Sequence, residues 1–209
     1  MSEHAARTHH PSRPPSPRRD PAGPTQRSPL GEGEGEACTA VRDRPCHVTV
    51  MNRQRRLLPL DSDWLRRVLV RVAAAERLGR SAVNVVLVSD RQIRRLNRDF
   101  HGQAEVTDVL TFDYGPAGGE DDVDAEVVVS AERALAEALS RGLPPDGELL
   151  LYCIHGLLHL AGHEDGTVGA RQRMWRRQLW HLARAGFPAR RWKDSPRAPG
   201  NLRRTESKR

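Results

Sequence analysis

The stretch "ELLLYCIHGLLHLAGHED", residues 148–165, constrains this chain more than any other. Its first part reads as an apolar helix carrying His155 and His159, an i, i+4 pair whose imidazoles project from one face about one turn apart. That geometry suits two nitrogen ligands of one zinc ion. Gly162, three residues on, can end the helix and turn the chain back, which brings Asp165 towards the same ion. The pattern is H-x-x-x-H-x-x-G-x-x-D. Two ordinary helix histidines compete with a ligand pair on spacing alone, and the added glycine and aspartate favour the metal. Three protein ligands leave a position open for water, the catalytic rather than the structural arrangement. His163 competes for the third place because it follows His159 by four. Gly162 breaks the helix between them, so Asp165 ranks above it.

The residue after the first histidine is Gly156. In H-E-x-x-H peptidases that position supplies the general base. Glycine cannot move a proton, so peptide hydrolysis by the usual route is disfavoured. Acid–base help would come from Glu164, from another segment or from the substrate's own phosphate. A bound metal would lower the pKa of its water to give hydroxide near neutral pH.

Charge locates the folded part. Residues 46–187 hold 19 Lys and Arg against 19 Asp and Glu, whereas residues 1–45 carry +1 and residues 188–209 carry +6, so most of the net charge of +7 is a C-terminal property. Residues 53–80 hold eight Arg against three acids, a candidate nucleic-acid face or simply a solvated helix face. Only Lys193 and Lys208 among the 34 basic residues are lysine, a bias that suggests a GC-rich genome and weakens arginine as a sign of RNA affinity. Cys38, Cys46 and Cys153 form no paired spacing, which argues against a disulfide framework or a cysteine metal site. No apolar run reaches the roughly 18 to 20 residues needed to cross a bilayer, and the start lacks an apolar secretory stretch. The expectation is a cytoplasmic protein.

Residues 1–45 and 188–209 are rich in Pro, Gly, Ser or base and offer little to bury, so both are expected to be disordered. The roughly 140 residues between them suffice for one compact core. Strands are expected at 46–52, 82–89, 107–114 and 125–130, the last two separated by an acidic loop. Helices follow Asp61 or Asp63, Ser89 and Ser130, ending near Gly79 for the first and Gly142 for the third; the histidine-bearing helix and a final "RQRMWRRQLWHLARAG" complete the set. Ile93, Leu96 and Phe100 share one face of the second helix. The fold class is α+β: a small mixed four-stranded sheet packed with about five helices around the metal-bearing helix.

With these residues in view, "HGLLHLAGHED" resembles the H-G-x-L-H-L-x-G-[YH]-D-H signature of the YbeY family of bacterial metal-dependent endoribonucleases. "LNRDFHGQAEVTDVLTF", residues 96–112, is similar to the family's L-N-x-x-[FY]-R-G-x-x-x-P-T-[DN]-V-L-S-F stretch, and "AEVVVS" takes the place of its following strand. The resemblance covers residues 46–187 and leaves both tails outside. It implies a zincin-like fold, one zinc ion per chain held by three side chains, and hydrolysis of single-stranded RNA. It also implies rRNA maturation and quality control on the small ribosomal subunit, with small-subunit rRNA and proteins as partners and no role for a membrane or DNA.

By the same resemblance, His155 and His159 match the first two zinc ligands, and Asp165 stands where the family has a third histidine. Aspartate adds a negative charge and should leave bound water less acidic than three neutral histidines would. The family's phosphate-contacting arginine corresponds to His101, which lacks the fixed guanidinium fork. His101 would act as phosphate contact or proton donor, or the role would pass to Arg98. The family's proline corresponds to Val106. Arg66, Arg67 and Arg71, or the C-terminal arginines, would supply a track for single-stranded RNA. These departures favour an alternative, a ribosome-assembly factor that binds RNA or protein and uses its metal mainly for structure.

Overall fold

A computed structural model of the chain describes residues 8–9, 46–54, 60–78, 82–115 and 124–192. Residues 10–45, Gly79, most of the acidic loop after Gly115 and the chain beyond Trp192 carry expectations that lie outside the described residues. The sheet has strands β1 (Thr8–His9), β2 (His47–Asn52), β3 (Ala82–Val88), β4 (Val109–Asp113) and β5 (Ala125–Ser130), in the order β1-β4-β5-β3-β2. β2, β3 and β5 run parallel, and β4 pairs antiparallel with β5. The four expected strands form this mixed sheet. Beyond them, Thr8 and His9 add a two-residue parallel strand against Thr111 and Phe112.

Period-two alternation divides the sheet into two faces. Val83, Val85, Leu87, Val127 and Val129 point into the main core, while Val86, Val88, Leu110, Phe112 and Val128 point the other way. Because both sets are apolar, the central strands are buried on both sides, as parallel strands require. Helix α2 (Asp90–His101) covers the second face through Ile93. Ser89 and Gln92 close a reciprocal capping box at its start.

The first face carries α1 (Ser62–Ala75), capped by Asp61 accepting from the Trp64 N–H at 2.8 Å. It also carries α4 (Pro145–Leu160), with α3 (Ala131–Arg141) and α5 (Val168–Arg184) packed beside α4. Every residue of α4 from Gly147 to Leu158 is buried. A helix that is apolar all round has to be enclosed, and β4, β5, α1, α3 and α5 enclose this one.

The compact unit runs to Trp192, beyond the expected boundary at residue 187. Ala189–Trp192 form a short 3-10 turn that inserts Trp192 fully into the core. Its indole Nε1 donates to Glu148 Oε2 at 2.7 Å, and Arg141 lies 3.5 Å from the other oxygen, so the buried Glu148 is partnered on both sides.

Candidate metal centre

His155 and His159 lie one turn apart near the C-terminal end of α4, their rings edge to face with centroids 4.7 Å apart. The helix ends at Leu160, and Gly162 takes φ +85°, a left-handed conformation that a β-carbon would penalise. That reversal returns Asp165, whose Oδ2 lies 3.8 Å from both His155 Nε2 and His159 Nε2. These separations are too long for hydrogen bonds. Donors around a tetrahedral zinc ion sit about 3.4 Å apart, given metal–donor bonds of roughly 2.0–2.1 Å. One ligand atom from each residue lies within 4.8 Å of the others, and among the described residues no further group of this kind occurs.

The electrostatics suit a cation. Burial, with the neighbouring His159, pushes the His155 imidazole down to about 3, and burial likewise lowers His159. Both rings are therefore neutral at physiological pH and present lone pairs. His159 Nε2, one of the nitrogens 3.8 Å from Asp165, is buried without a hydrogen-bond partner, as is His155 Nδ1, the ring nitrogen of His155 other than the one near Asp165. An unpaired polar nitrogen facing a carboxylate is costly unless something occupies the space between them. The C-terminal carbonyls of α4, where His159 stands in the last turn, add negative potential. Two nitrogens and one carboxylate fit a divalent ion of the zinc type.

Gly156 is explained by packing. A β-carbon there would meet Val127 Cγ1 at 2.3 Å and Thr111 Oγ1 at 3.2 Å, so α4 lies directly against β4 and β5 at this point. The general base of a peptidase has no room at this position.

The other expected site residues do not join this group. His163 turns away, its Nε2 3.0 Å from Glu76 Oε2. Glu164 is exposed on the turn between His163 and Asp165. His101 ends α2, its ring stacked 6.5 Å from Phe112 at 21°, and Phe112 belongs to the sheet face opposite α4. Arg66 and Arg67 are exposed on α1 and loosely paired with Asp63 and Asp61, at 3.9 and 3.8 Å. Arg71 is exposed on the same helix. Arg98 pairs with Asp99 at 3.1 Å and, with Arg91, Arg94 and Arg95, lines a cleft of about 320 Å³. Those four arginines fall at i, i+3, i+4 and i+7, a spacing visible in the sequence that marks one basic face of α2. Glu76 escaped sequence reasoning altogether. It is the C-cap of α1, and its partners stand 87, 101 and 105 positions away.

Fold and site together define an α+β domain whose central buried helix offers two histidines, with a returning aspartate, as a candidate metal triad. The profile of the family described as "Endoribonuclease YbeY" matches residues 50–186, and the chain belongs to that family. It is similar to proteins named endoribonuclease YbeY from three organisms. That of Anaeromyxobacter sp. strain Fw109-5 is 37% identical over 123 residues, covering 57% of this chain and 64% of the relative, just under two thirds of its length. That of Chlorobaculum tepidum is 34% identical over 125 residues, covering 60% of this chain and 89% of the relative. That of Geobacillus kaustophilus is 30% identical over 151 residues, covering 68% and 97%. The solution structure of TM1509 from Thermotoga maritima is 28% identical, with a TM-score of 0.49 over 72% of this chain and 94% of that one.

Proposed function

We propose that the protein is a metal-dependent endoribonuclease that cleaves single-stranded RNA during maturation and quality control of small-subunit rRNA in the cytoplasm. The observation that carries this reading is the convergence of His155, His159 and Asp165 on one space, in a chain whose family is named for RNA cleavage. The three side chains would hold one zinc ion, which when bound supplies an acidified water and polarises a phosphoryl oxygen. Asp165 lowers the net charge of that site relative to three histidines, so water there ionises less readily. Glu164, exposed and next to Asp165, would carry a proton to or from the reacting phosphate. Arg98 and the arginines around it hold the phosphate backbone, with Arg66 and Arg67 as a second basic surface and His101 as a phosphate contact or proton donor. Among the described residues no helix is long and apolar enough to cross a membrane.

A second reading, a ribosome-assembly factor with a mainly structural metal, is favoured by the position of His101 on Phe112, on the sheet face opposite α4. Cleavage of single-stranded RNA by the purified chain separates the two readings, with His159→Ala purified identically to expose contaminating nuclease. Zinc-restorable cleavage by the wild type alone supports the enzyme. Equal cleavage by both, or none by either while zinc stays bound, supports the binding factor.

A further inference from the structure

Outside the triad, the most densely bonded polar cluster centres on Glu76. Its carboxylate, with the side chain only 6% exposed, stands where α1 ends. Oε1 accepts from Arg177 Nε at 2.6 Å and lies 2.5 Å from His181 Nε2, both on α5, while Oε2 lies 3.0 Å from His163 Nε2. Burial alone would lift this carboxyl. The hydrogen bonds from His181, His163 and Arg177, with the arginine's charge, instead hold it below the ordinary carboxylate value. Arg177 is braced in turn, its guanidinium 4.4 Å over the Trp180 ring.

The arrangement matters because of where His163 stands. It follows the left-handed Gly162 and precedes Asp165 by two residues, in the turn that carries the third donor of the triad. The backbone of this turn is bonded to α4, through His163 N–H to Leu158 O at 2.9 Å, and the Asp165 carbonyl accepts from Arg171 Nη1 of α5 at 3.1 Å. Among the described residues, the bond from His163 to Glu76 is the one hydrogen bond that ties the turn to α1. A carboxylate engaged through both oxygens by two elements fixes the distance between them more rigidly than apolar contact does. We propose that Glu76 is a positioning residue for the candidate metal centre: through His163 it sets the turn so that Asp165 meets His155 and His159. The inference rests on the reading of that triad as a metal site, and it gives a role to the histidine that spacing alone offered as a ligand.

The test is zinc affinity of the full chain, measured by competition with a chromophoric chelator, alongside the melting temperature of the metal-free protein. Groups bonded directly to a ligand change metal affinity by about 10- to 100-fold, and Glu76 acts through one further residue, so the low end of that range applies. Glu76→Gln and His163→Gln should each weaken zinc binding by a factor at that low end while keeping a stoichiometry of one. The double variant should lose little more than the weaker single, because both break one link. Trp192→Phe, destabilised at the opposite end of α4, should keep wild-type affinity and so separate positioning from general loss of stability. Wild-type affinity in Glu76→Gln, or an equal loss in Trp192→Phe, would overturn the inference and leave the metal site standing. Absence of stoichiometric zinc in the wild type, or undiminished binding by Asp165→Ala, would instead remove the metal site and the inference with it.

Discussion

Replacing Gly156 by alanine tests the packing on which the candidate centre is built. Two effects oppose each other. Alanine is the better helix former and would add about 1 kcal/mol. Its β-carbon, however, would lie 2.3 Å from Val127 Cγ1, where an ordinary contact is 3.4–4 Å, so something has to move by about an ångström. Neither side yields easily: Gly156 sits in the fully buried helix α4, and Val127 is in β5, paired on both sides by β3 and β4. Overpacking of this kind costs about 1–3 kcal/mol, and a contact with a β-branched side chain, which has little rotamer freedom, on a strand paired on both sides belongs at the upper end. The net expectation is a loss of about 2 kcal/mol, or roughly 6 °C in melting temperature for a domain of this size. Urea and thermal unfolding of metal-free protein measure it. In a Val127→Ala background both γ-carbons are gone, and the cost of Gly156→Ala should fall by at least about 1 kcal/mol. A neutral or stabilising Gly156→Ala, or the same cost in both backgrounds, would refute the argument that α4 lies directly on the sheet at this residue.

Three further outcomes are expected. Glu76 has a carboxyl held below its ordinary value of 4.5, so its stabilisation is present above that pH and is lost as pH falls through the lowered value; the gap in urea midpoint between wild type and Glu76→Gln should therefore close on acidification below pH 4.5. Trp192→Phe leaves the buried Glu148 without its 2.7 Å donor and should cost about 1–3 kcal/mol in denaturant unfolding. Zinc at about a thousand times its dissociation constant should stabilise the wild type by about 4 kcal/mol, an effect reversed by chelation and absent from His159→Ala in calorimetry.

Much of the fold is legible because its signals are local. Ser89 with Gln92, Asp61 and Ser130 announce helix starts through side chains that bond a backbone N–H three residues away. The valine runs of β3 and β5 announce strands through β-branching. The triad was legible for the same reason: an i, i+4 pair and a glycine reversal lie within eleven residues. What spacing could not show was set by distant packing. Phe100, at helical spacing with Ile93 and Leu96, is 45% exposed and leans edge-on against Phe112 at 5.0 Å instead of entering the core. Trp192, among prolines and arginines, gives no sign of being buried until the N-terminal end of α4 is in place to receive it. The role of Glu76 as a hub depends on three residues far along the chain. Of the two residues that spacing offered for the third place, Asp165 lies beside His155 and His159 while His163 bonds Glu76.

The enclosure of α4 also has a consequence for how the chain can vary. From Gly147 to Leu158 no residue faces solvent, so the helix has no surface on which substitutions accumulate without effect. Glycine at 156 is held by the sheet, and the leucines by helices on the remaining sides. Room for substitution begins past the end of the helix, at the partly open residues from Ala161 onward. An exchange of donor type at position 165 falls in the stretch where the architecture leaves room for one.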